Sequence, residues 1–415
     1  RPSSPRPDVL IVGAGAAGLA TAIFTRQLNP SISVTLLDGS ARPGAKILVS
    51  GGSRCNVTNV HVSERDYWGG HPAFIRRVLR ALTVPDTVAA FARLGVTLHE
   101  EHDGKLFPDS NRSRDVLNAL LGECQRLGVT LLGSHLVTAV ARHDDGFSVH
   151  TSATVLHARR LVLATGGRAL PKSGSDGAGY AFARALGHTI VPTTPALAPL
   201  VLDRNDNVHR HLSGVSHDAE LTLWVDGKSV IRLSGALLWT HFGMSGPVAL
   251  NMSRHWARAQ LGGRAPTLTV NVCPGRTFDA VDRWLVESAA ARPRASLVTL
   301  LDTVLPASVA TAMTEQAGVT GSHIGAQLSR DARRSLVHTL TAWQAPVTGT
   351  RGYTYAEATA GGVAVDDIDA GTMESKICRG LYLVGEVLDV DGRLGGFNFQ
   401  WAWSSARAAA RALSQ

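Results

Sequence analysis

A short apolar run, Val9, Leu10, Ile11 and Val12, leads directly into Gly13, Gly15 and Gly18, and a second apolar run over residues 34–37 ends on Asp38. The first run is too short and too β-branched for a surface helix and reads as a strand buried on both faces, the usual state in a parallel sheet. Gly13 permits the tight turn from strand to helix, and Gly15 lets the backbone approach a pyrophosphate. Ala17 lies in the same turn, and Gly18 lets the helix expected over residues 16–28 pack closely on the sheet. That helix turns unpaired N–H groups and a partial positive charge towards the phosphates. Asp38 is placed to accept hydrogen bonds from both ribose hydroxyls and would repel a 2′-phosphate. Strand, glycines, helix, strand and acid in this order specify a dinucleotide pocket, where isolated glycines would specify only turns.

At 415 residues and 44% hydrophobic content, the chain can bury a large core and is long enough for two or three domains. Its net charge of +8 invites a nucleic-acid reading. The arginines are scattered, however, without a basic block or interleaved aromatics, and an anionic cofactor explains the charge at least as well; nucleic acid is the less favoured partner. Cys55, Cys124, Cys273 and Cys378 form no C-x-x-C pair, which argues against a disulfide framework or a zinc site. No apolar stretch is long enough to span a bilayer, and residues 1–7 form a polar, proline-rich tail without a signal-peptide core. A cytoplasmic protein without a membrane partner or metal is expected.

Residues 8 to about 192 alternate strands and helices: a polar, glycine-rich loop over 39–59, helices at 71–83, 86–94 and 112–127, strands at 96–99 and 129–132, and an antiparallel meander over 135–156. Pro192, Pro195 and Pro199 mark a boundary. An insert over 196–345 follows, β-rich at 196–275 and helical at 278–345. The α/β pattern resumes at 381–384 and ends in a helix over 398–413. The simplest organisation is a discontinuous nucleotide domain, residues 1–195 with 346–415, interrupted by the insert.

The C-terminal segment decides which dinucleotide. NAD needs one half-site, whereas FAD carries a ribityl chain and an isoalloxazine that need a second strand end and a second helix. Gly385 and Glu386 stand at such a strand end, where Glu386 can hold ribityl hydroxyls. Gly396, Phe397 and Asn398 open the last helix, whose positive end suits charge on a reduced flavin. Taken singly, these are a strand-ending turn and a helix entry; paired with the first site they indicate FAD.

Residues 44–59, with Lys46, Gly51, Gly52, Arg54, Cys55 and Asn56, resemble the signature loop of the BaiN-like flavoproteins, the aminoacetone-oxidase family of NAD(P)/FAD-dependent oxidoreductases. Residues 240–247, 357–363, 372–376 and 385–403 resemble it too, and the similarity runs from Asp8 to about Arg411, loosest over 278–345. The resemblance implies an α/β fold, a Rossmann-like FAD domain of the glutathione-reductase type with an inserted β-barrel-like and helical domain. It implies redox chemistry without one fixed substrate: amine oxidation and reduction of unsaturated steroid intermediates both occur among such proteins. In such a pocket Lys46 and Arg54 would neutralise pyrophosphate or bias flavin N5, and Asn56 would donate hydrogen bonds to the ring. Val137 would offer backbone groups to adenine, and Thr165 with Gly166 would let the chain pass close to the cofactor.

The chemistry-bearing residues outside these motifs say less. Cys55 has no second cysteine near it, so dithiol chemistry is disfavoured. Gly243, Met244, Ser245 and Gly246 fall short of a nucleophile elbow because Pro247 replaces the last glycine. His241 and Ser245 are candidates to line the substrate side, a structural histidine being the alternative; with Arg54 they are the available catalytic candidates. His209, His211 and His217 lack acidic companions and read as surface. No second nucleotide fingerprint is present, so NAD(P)H would bind transiently. The expected function is hydride transfer between flavin N5 and a small organic substrate, as an oxidase or as an NAD(P)H-linked reductase. A flavin-dependent RNA-modifying enzyme and a non-catalytic flavin-binding regulator are the alternatives. The cofactor released on denaturation should be FAD rather than FMN, because Gly13, Gly15, Gly18 and Asp38 serve an adenosine moiety that FMN lacks; chromatography of the supernatant decides it.

Overall fold

The computed structural model describes residues 6–206 and 208–415; residues 1–5 of the polar tail lie outside it. The chain forms two compact units, one running to Thr193 and resuming at Glu357–Gln415, the other Thr194–Ala356. The return to the first unit falls later than 346, because the strands Trp343–Ala345 and Val347–Thr350 both pair into the sheet of the second unit.

The first unit is built on a parallel sheet of β1 (Val9–Val12), β2 (Val34–Leu37), β3 (Thr130–Leu132), β4 (Arg160–Leu163) and β5 (Leu381–Leu383), ordered β5-β4-β1-β2-β3. Every neighbouring pair is parallel. Burial on both faces explains the sequence of β1, whose Val9, Leu10 and Ile11 are all 0% exposed. β5 comes from the far end of the chain and lies in register beside β4, Leu161 opposite Leu381 and Leu163 opposite Leu383. Between β3 and β4 lies the antiparallel meander Val137–His143, Gly146–Thr151 and Val155–Ala158.

The first helix, Ala16–Leu28, packs against the last, Phe397–Leu413. Alanine and glycine dominate the facing surfaces, among them Ala17, Gly18, Ala20, Ala406, Ala409 and Ala410, so the axes approach closely. Two tryptophans anchor the last helix: Trp401 Nε1 donates to Gly385 O at 3.1 Å and Trp403 Nε1 to Val57 O at 2.9 Å. The 39–59 stretch is not wholly loop. It contains a helical segment, Ala45–Ser53, which departs from helical geometry at Ser50, Gly51 and Gly52, the last two in the left-handed region that glycine tolerates.

The second unit is a seven-stranded antiparallel sheet with its own core. Its edge strands, Trp343–Ala345 and Val347–Thr350, are separated by Pro346 alone. A one-residue link cannot span an open seven-stranded sheet, so the sheet curls until its edges meet, which accounts for the barrel-like insert. The β-rich stretch also holds a helix, Gly246–Leu261, that periodicity missed: Gly246 has φ +83°, Pro247 stands at its start, and Val248, Ala249, Met252 and Trp256 form its buried stripe. The helices Phe278–Ala291, Leu297–Leu301, Ala307–Gln316 and Arg330–Ala342 complete the unit, Pro306 serving as the N-cap of the third. His209 is not a surface residue. It is buried, and burial holds its imidazole below the usual range.

Trp403 is fully enclosed, stacks on Phe399 at 5.5 Å and meets Phe91 edge-on at 5.4 Å. Trp403→Ala should therefore destabilise the first unit by about 3–5 kcal/mol, read as a lowered urea midpoint.

Candidate dinucleotide site

The glycine turn is fixed by packing at two positions and left open at one. A Cβ on Gly13, which has φ +105°, would lie 2.4 Å from Ala164 O, and one on Gly18 would lie 1.9 Å from Gly13 O. These two glycines let the helix and β4 close on the strand end. At Gly15, by contrast, a Cβ would meet nothing within 4 Å. Gly15 caps the first helix without a side-chain hydrogen bond, so the first-turn N–H groups face that open space. Asp38 closes the turn from the other side, its Oδ2 accepting from Ala14 N at 3.0 Å and its Oδ1 from Ser40 N at 2.8 Å. One lone pair on each oxygen remains for a hydroxyl donor. The Asp38 peptide is held between Leu132 O at 3.0 Å and His135 N at 2.8 Å, which brings the start of the Val137 strand alongside it.

The second strand end sits beside the first. Val384 N donates to Leu163 O at 3.1 Å, and a Cβ on Gly385, with φ +75°, would lie 2.8 Å from Ala17 Cβ on the first helix. Glu386 thereby reaches the carboxyl ends of the central strands, where open α/β sheets take their ligands. Its Oε1 accepts from Thr359 N at 3.0 Å and its Oε2 pairs with Lys46 Nζ. Thr359 Oγ1 accepts in turn from Arg168 N at 2.8 Å and Ala169 N at 3.1 Å. Gly167, just past Thr165 and Gly166, is confined by the same group: a Cβ there would lie 2.4 Å from Thr359 Oγ1 and 2.8 Å from Glu386 Oε1. Three residues distant in sequence, Lys46, Thr359 and Glu386, thus meet at one point.

Several predicted ligands are engaged elsewhere. Lys46 is the ion-pair partner of Glu386, and Arg54 pairs with Glu101 at 2.6 Å while lying over the Phe107 ring at 4.1 Å. Asn56 spends both amide hydrogens on Leu106 O at 3.2 Å and Thr58 O at 2.8 Å and accepts from Gly396 N at 3.1 Å, so it positions the last helix, with no donor left for a flavin ring. Asn398 holds Gly392, accepting from its N at 2.8 Å and donating to its O at 3.0 Å. Gly396, with φ +93°, is required because a Cβ would lie 2.4 Å from Thr58 O. Phe397 is buried, and its carbonyl accepts from Tyr67 Oη at 2.8 Å. Gly51 and Gly52 form the bend in the 45–53 segment.

All four cysteines are free and buried, and burial pushes the Cys55 thiol up to about 12. His241 and Ser245 belong to the second unit: His241 is exposed and edge-on to Phe242 at 5.1 Å, and Ser245 precedes the helix Gly246–Leu261. Among the described residues no His, Cys, Asp and Glu cluster could hold a metal, and no helix is long and apolar enough to cross a membrane. Sequence reasoning passed over Thr359 as a site residue. Its signal was present, as a polar position ahead of the Gly361–Gly362 pair in a motif already singled out.

The open cradle at Gly15, the uncapped first turn and the adjacent second strand end fit FAD, which needs both ends of the pocket. Fold and site together define a Rossmann-type FAD flavoprotein of the oxidoreductase class. Residues 7–412 match the model of the HI0933-like protein Rossmann domain, and the chain belongs to that family. It is 34% identical, over 98% of both chains, to proteins named ribosomal RNA dihydrouridine synthase from Escherichia coli and Haemophilus influenzae. It is also 30% identical, over 98% of both chains, to a 3-dehydro-bile acid delta(4,6)-reductase from Clostridium scindens. A solved structure of E. coli quinol fumarate reductase shares the fold at TM-score 0.50 and 15% identity, covering 99% of this chain and 70% of the other.

The glycines should separate by function. Gly15→Ala should fold with an unchanged apoprotein melting temperature yet weaken FAD binding by more than about tenfold, the methyl occupying pyrophosphate space. Gly18→Ala should fail to give folded protein in the same thermal and titration assays. With its thiol held near 12 by burial, Cys55 should resist iodoacetamide in native protein at pH 8 and react once the chain is unfolded, as read by mass spectrometry.

Proposed function

We propose that the protein is an FAD-dependent reductase that saturates a carbon–carbon double bond conjugated to a carbonyl, and that uridine in ribosomal RNA is the favoured substrate. The observation that carries this reading is the 34% identity, over 98% of both chains, to two proteins named for dihydrouridine synthesis. Uridine C5=C6 lies next to the C4 carbonyl, and a bile-acid enone presents the same conjugated arrangement, so one chemistry covers both kinds of relative. The net charge of +8 suits a polyanionic substrate. A small conjugated enone is the second reading, favoured by the relative at 30% identity.

FAD, when bound, supplies the hydride of such a reduction. The chain's own residues bind and orient. Gly13, Gly15, Ala17 and Gly18 with the first-turn N–H groups receive the pyrophosphate, Asp38 and the Val137 backbone the adenosine, and Thr165 and Gly166 let the chain pass the cofactor closely. Glu386, held by Lys46 and Thr359 N, fixes the ribityl chain, and Gly396, Phe397 and Asn398 aim the positive end of the last helix at the ring. NAD(P)H is proposed as a transient donor, and the four unpaired thiols suit a reducing compartment such as the cytoplasm.

The test reduces the purified protein anaerobically with NADH or NADPH, then adds an unmodified ribosomal RNA transcript or a steroid enone. Loss of uridine absorbance with reoxidation of the flavin is expected. Reoxidation by the enone alone selects the second reading, and reoxidation by neither removes both. Glu386→Ala, which strands Lys46 as well, should weaken FAD binding by about 1.5–3 kcal/mol, roughly ten- to a hundredfold, in apoprotein titration.

A further inference from the structure

The second unit carries an aromatic and cationic surface that the cofactor site does not use. The strand Leu200–Leu202 pairs antiparallel with Gly243–Ser245 on one side and with Val347–Thr350 on the other. Leu202 N donates to Phe242 O at 3.0 Å and Arg351 N to Pro199 O at 2.9 Å, so the residues flanking both neighbours are pinned to one strand. The chain then turns at Gly352, with φ +71°, into a single helical turn, Tyr353–Tyr355, closed by Tyr355 N donating to Gly352 O at 3.2 Å. That turn carries Tyr355 back against Arg351. The Arg351 guanidinium carbon lies 3.4 Å from the centre of the Tyr355 ring and 4.4 Å from that of Phe242. Exposed His241 meets Phe242 edge-on at 5.1 Å, and Tyr355 is itself 49% exposed.

Arg264 and Arg333 of the same unit are spent on Asp226 and Asp282. Arg351, by contrast, has no ion pair and no side-chain hydrogen bond among the described residues, so two rings hold its guanidinium while its N–H donors stay unspent. A cation fixed in this way suits a phosphate, and the exposed ring beside it suits the flat face of a base. Unpaired RNA offers both groups within one or two nucleotides, whereas a duplex keeps its base faces stacked on one another. The chain's net charge of +8 favours the same polyanion.

We propose that Phe242, Arg351 and Tyr355 form a platform for unpaired RNA, a base stacking on Tyr355 and an adjoining phosphate resting on the Arg351 guanidinium. The inference rests on the reading of RNA as the substrate and names a surface that would retain it. Reducing uridine C5=C6 requires a base outside the helical stack, and a surface that accepts only unpaired strands selects RNA in that state.

FAD-loaded wild type is compared with Tyr355→Ala, Tyr355→Trp and Arg351→Gln by titration with a labelled oligouridine of about twelve nucleotides. All three variants should keep their FAD and melting temperature. Tyr355→Ala should bind the oligouridine about ten- to a hundredfold more weakly, and Tyr355→Trp should restore the affinity. In Arg351→Gln the fall of log affinity with log salt should be shallower by about 0.7, the loss of one phosphate contact. Oligouridine should quench the indole of Tyr355→Trp beyond any change seen in wild type, a signal that a merely structural tyrosine would not give. Should Tyr355→Ala fail to fold, the quenching and the Arg351→Gln slope decide. Wild-type affinity in Tyr355→Ala and Arg351→Gln, an unquenched indole, or equal competition by duplex RNA or inorganic polyphosphate each overturns the platform. If wild type reduces the ribosomal RNA transcript while the variants bind as it does, the RNA reading stands and only the platform falls. If wild type reduces the steroid enone and retains no oligouridine, both fall.

Discussion

The site depends on the parallel pairing of β4 with β5. Leu161–Leu163 belongs to the chain's first half and Leu381–Leu383 to its last segment, and their register sets Gly385 against Ala17 on the glycine-turn helix. Hydrogen bonds between two buried strands admit little slack. A slip of one residue would carry Gly385 about 3.3 Å along the sheet, away from its seat against Ala17. One strand pair therefore sets two segments far apart in sequence, the glycine turn and the Gly385–Glu386 strand end, side by side.

Close approach is the second requirement, and glycine and alanine meet it. Gly18 under Gly13 O, Gly385 against Ala17 and Gly396 against Thr58 O are places where a Cβ would overlap another atom. The alanine-rich faces of the first and last helices extend the same economy of size along their length. Polar side chains then tie the loops to this frame. Asn56 and Asn398 spend their amides on backbone groups at the entrance of the last helix, and Thr359 bridges the 167–169 turn to Glu386.

Much of this was legible in the chain. The first strand, the 16–28 helix, Asp38, the meander and the final helix follow from local period and turn chemistry, because in each the determining contacts lie within a few residues or on one continuous face. The helix at Gly246–Leu261 was not, since its buried stripe sits among strands and its start rests on a left-handed glycine that periodicity does not weigh. His209 was misplaced for a related reason: a lone histidine on a short segment carries no sign of the neighbours that cover it.

The sequence by itself determined that a dinucleotide is bound, since the spacing of Gly13, Gly15 and Gly18 after a buried strand is a local geometric requirement. It also named residues at both strand ends, Gly15 and Asp38 at one and Gly385 and Glu386 at the other. It could not determine what those residues touch. The partners of Lys46 and Arg54 lie at Glu386 and Glu101, and a cation's partner at long range is set by how the sheet and loops converge, not by the cation's own surroundings in the chain. The meeting of Lys46, Thr359 and Glu386 is likewise a product of the tertiary fold, because three segments with no sequence relation reach one strand end only after β5 has taken its place beside β4.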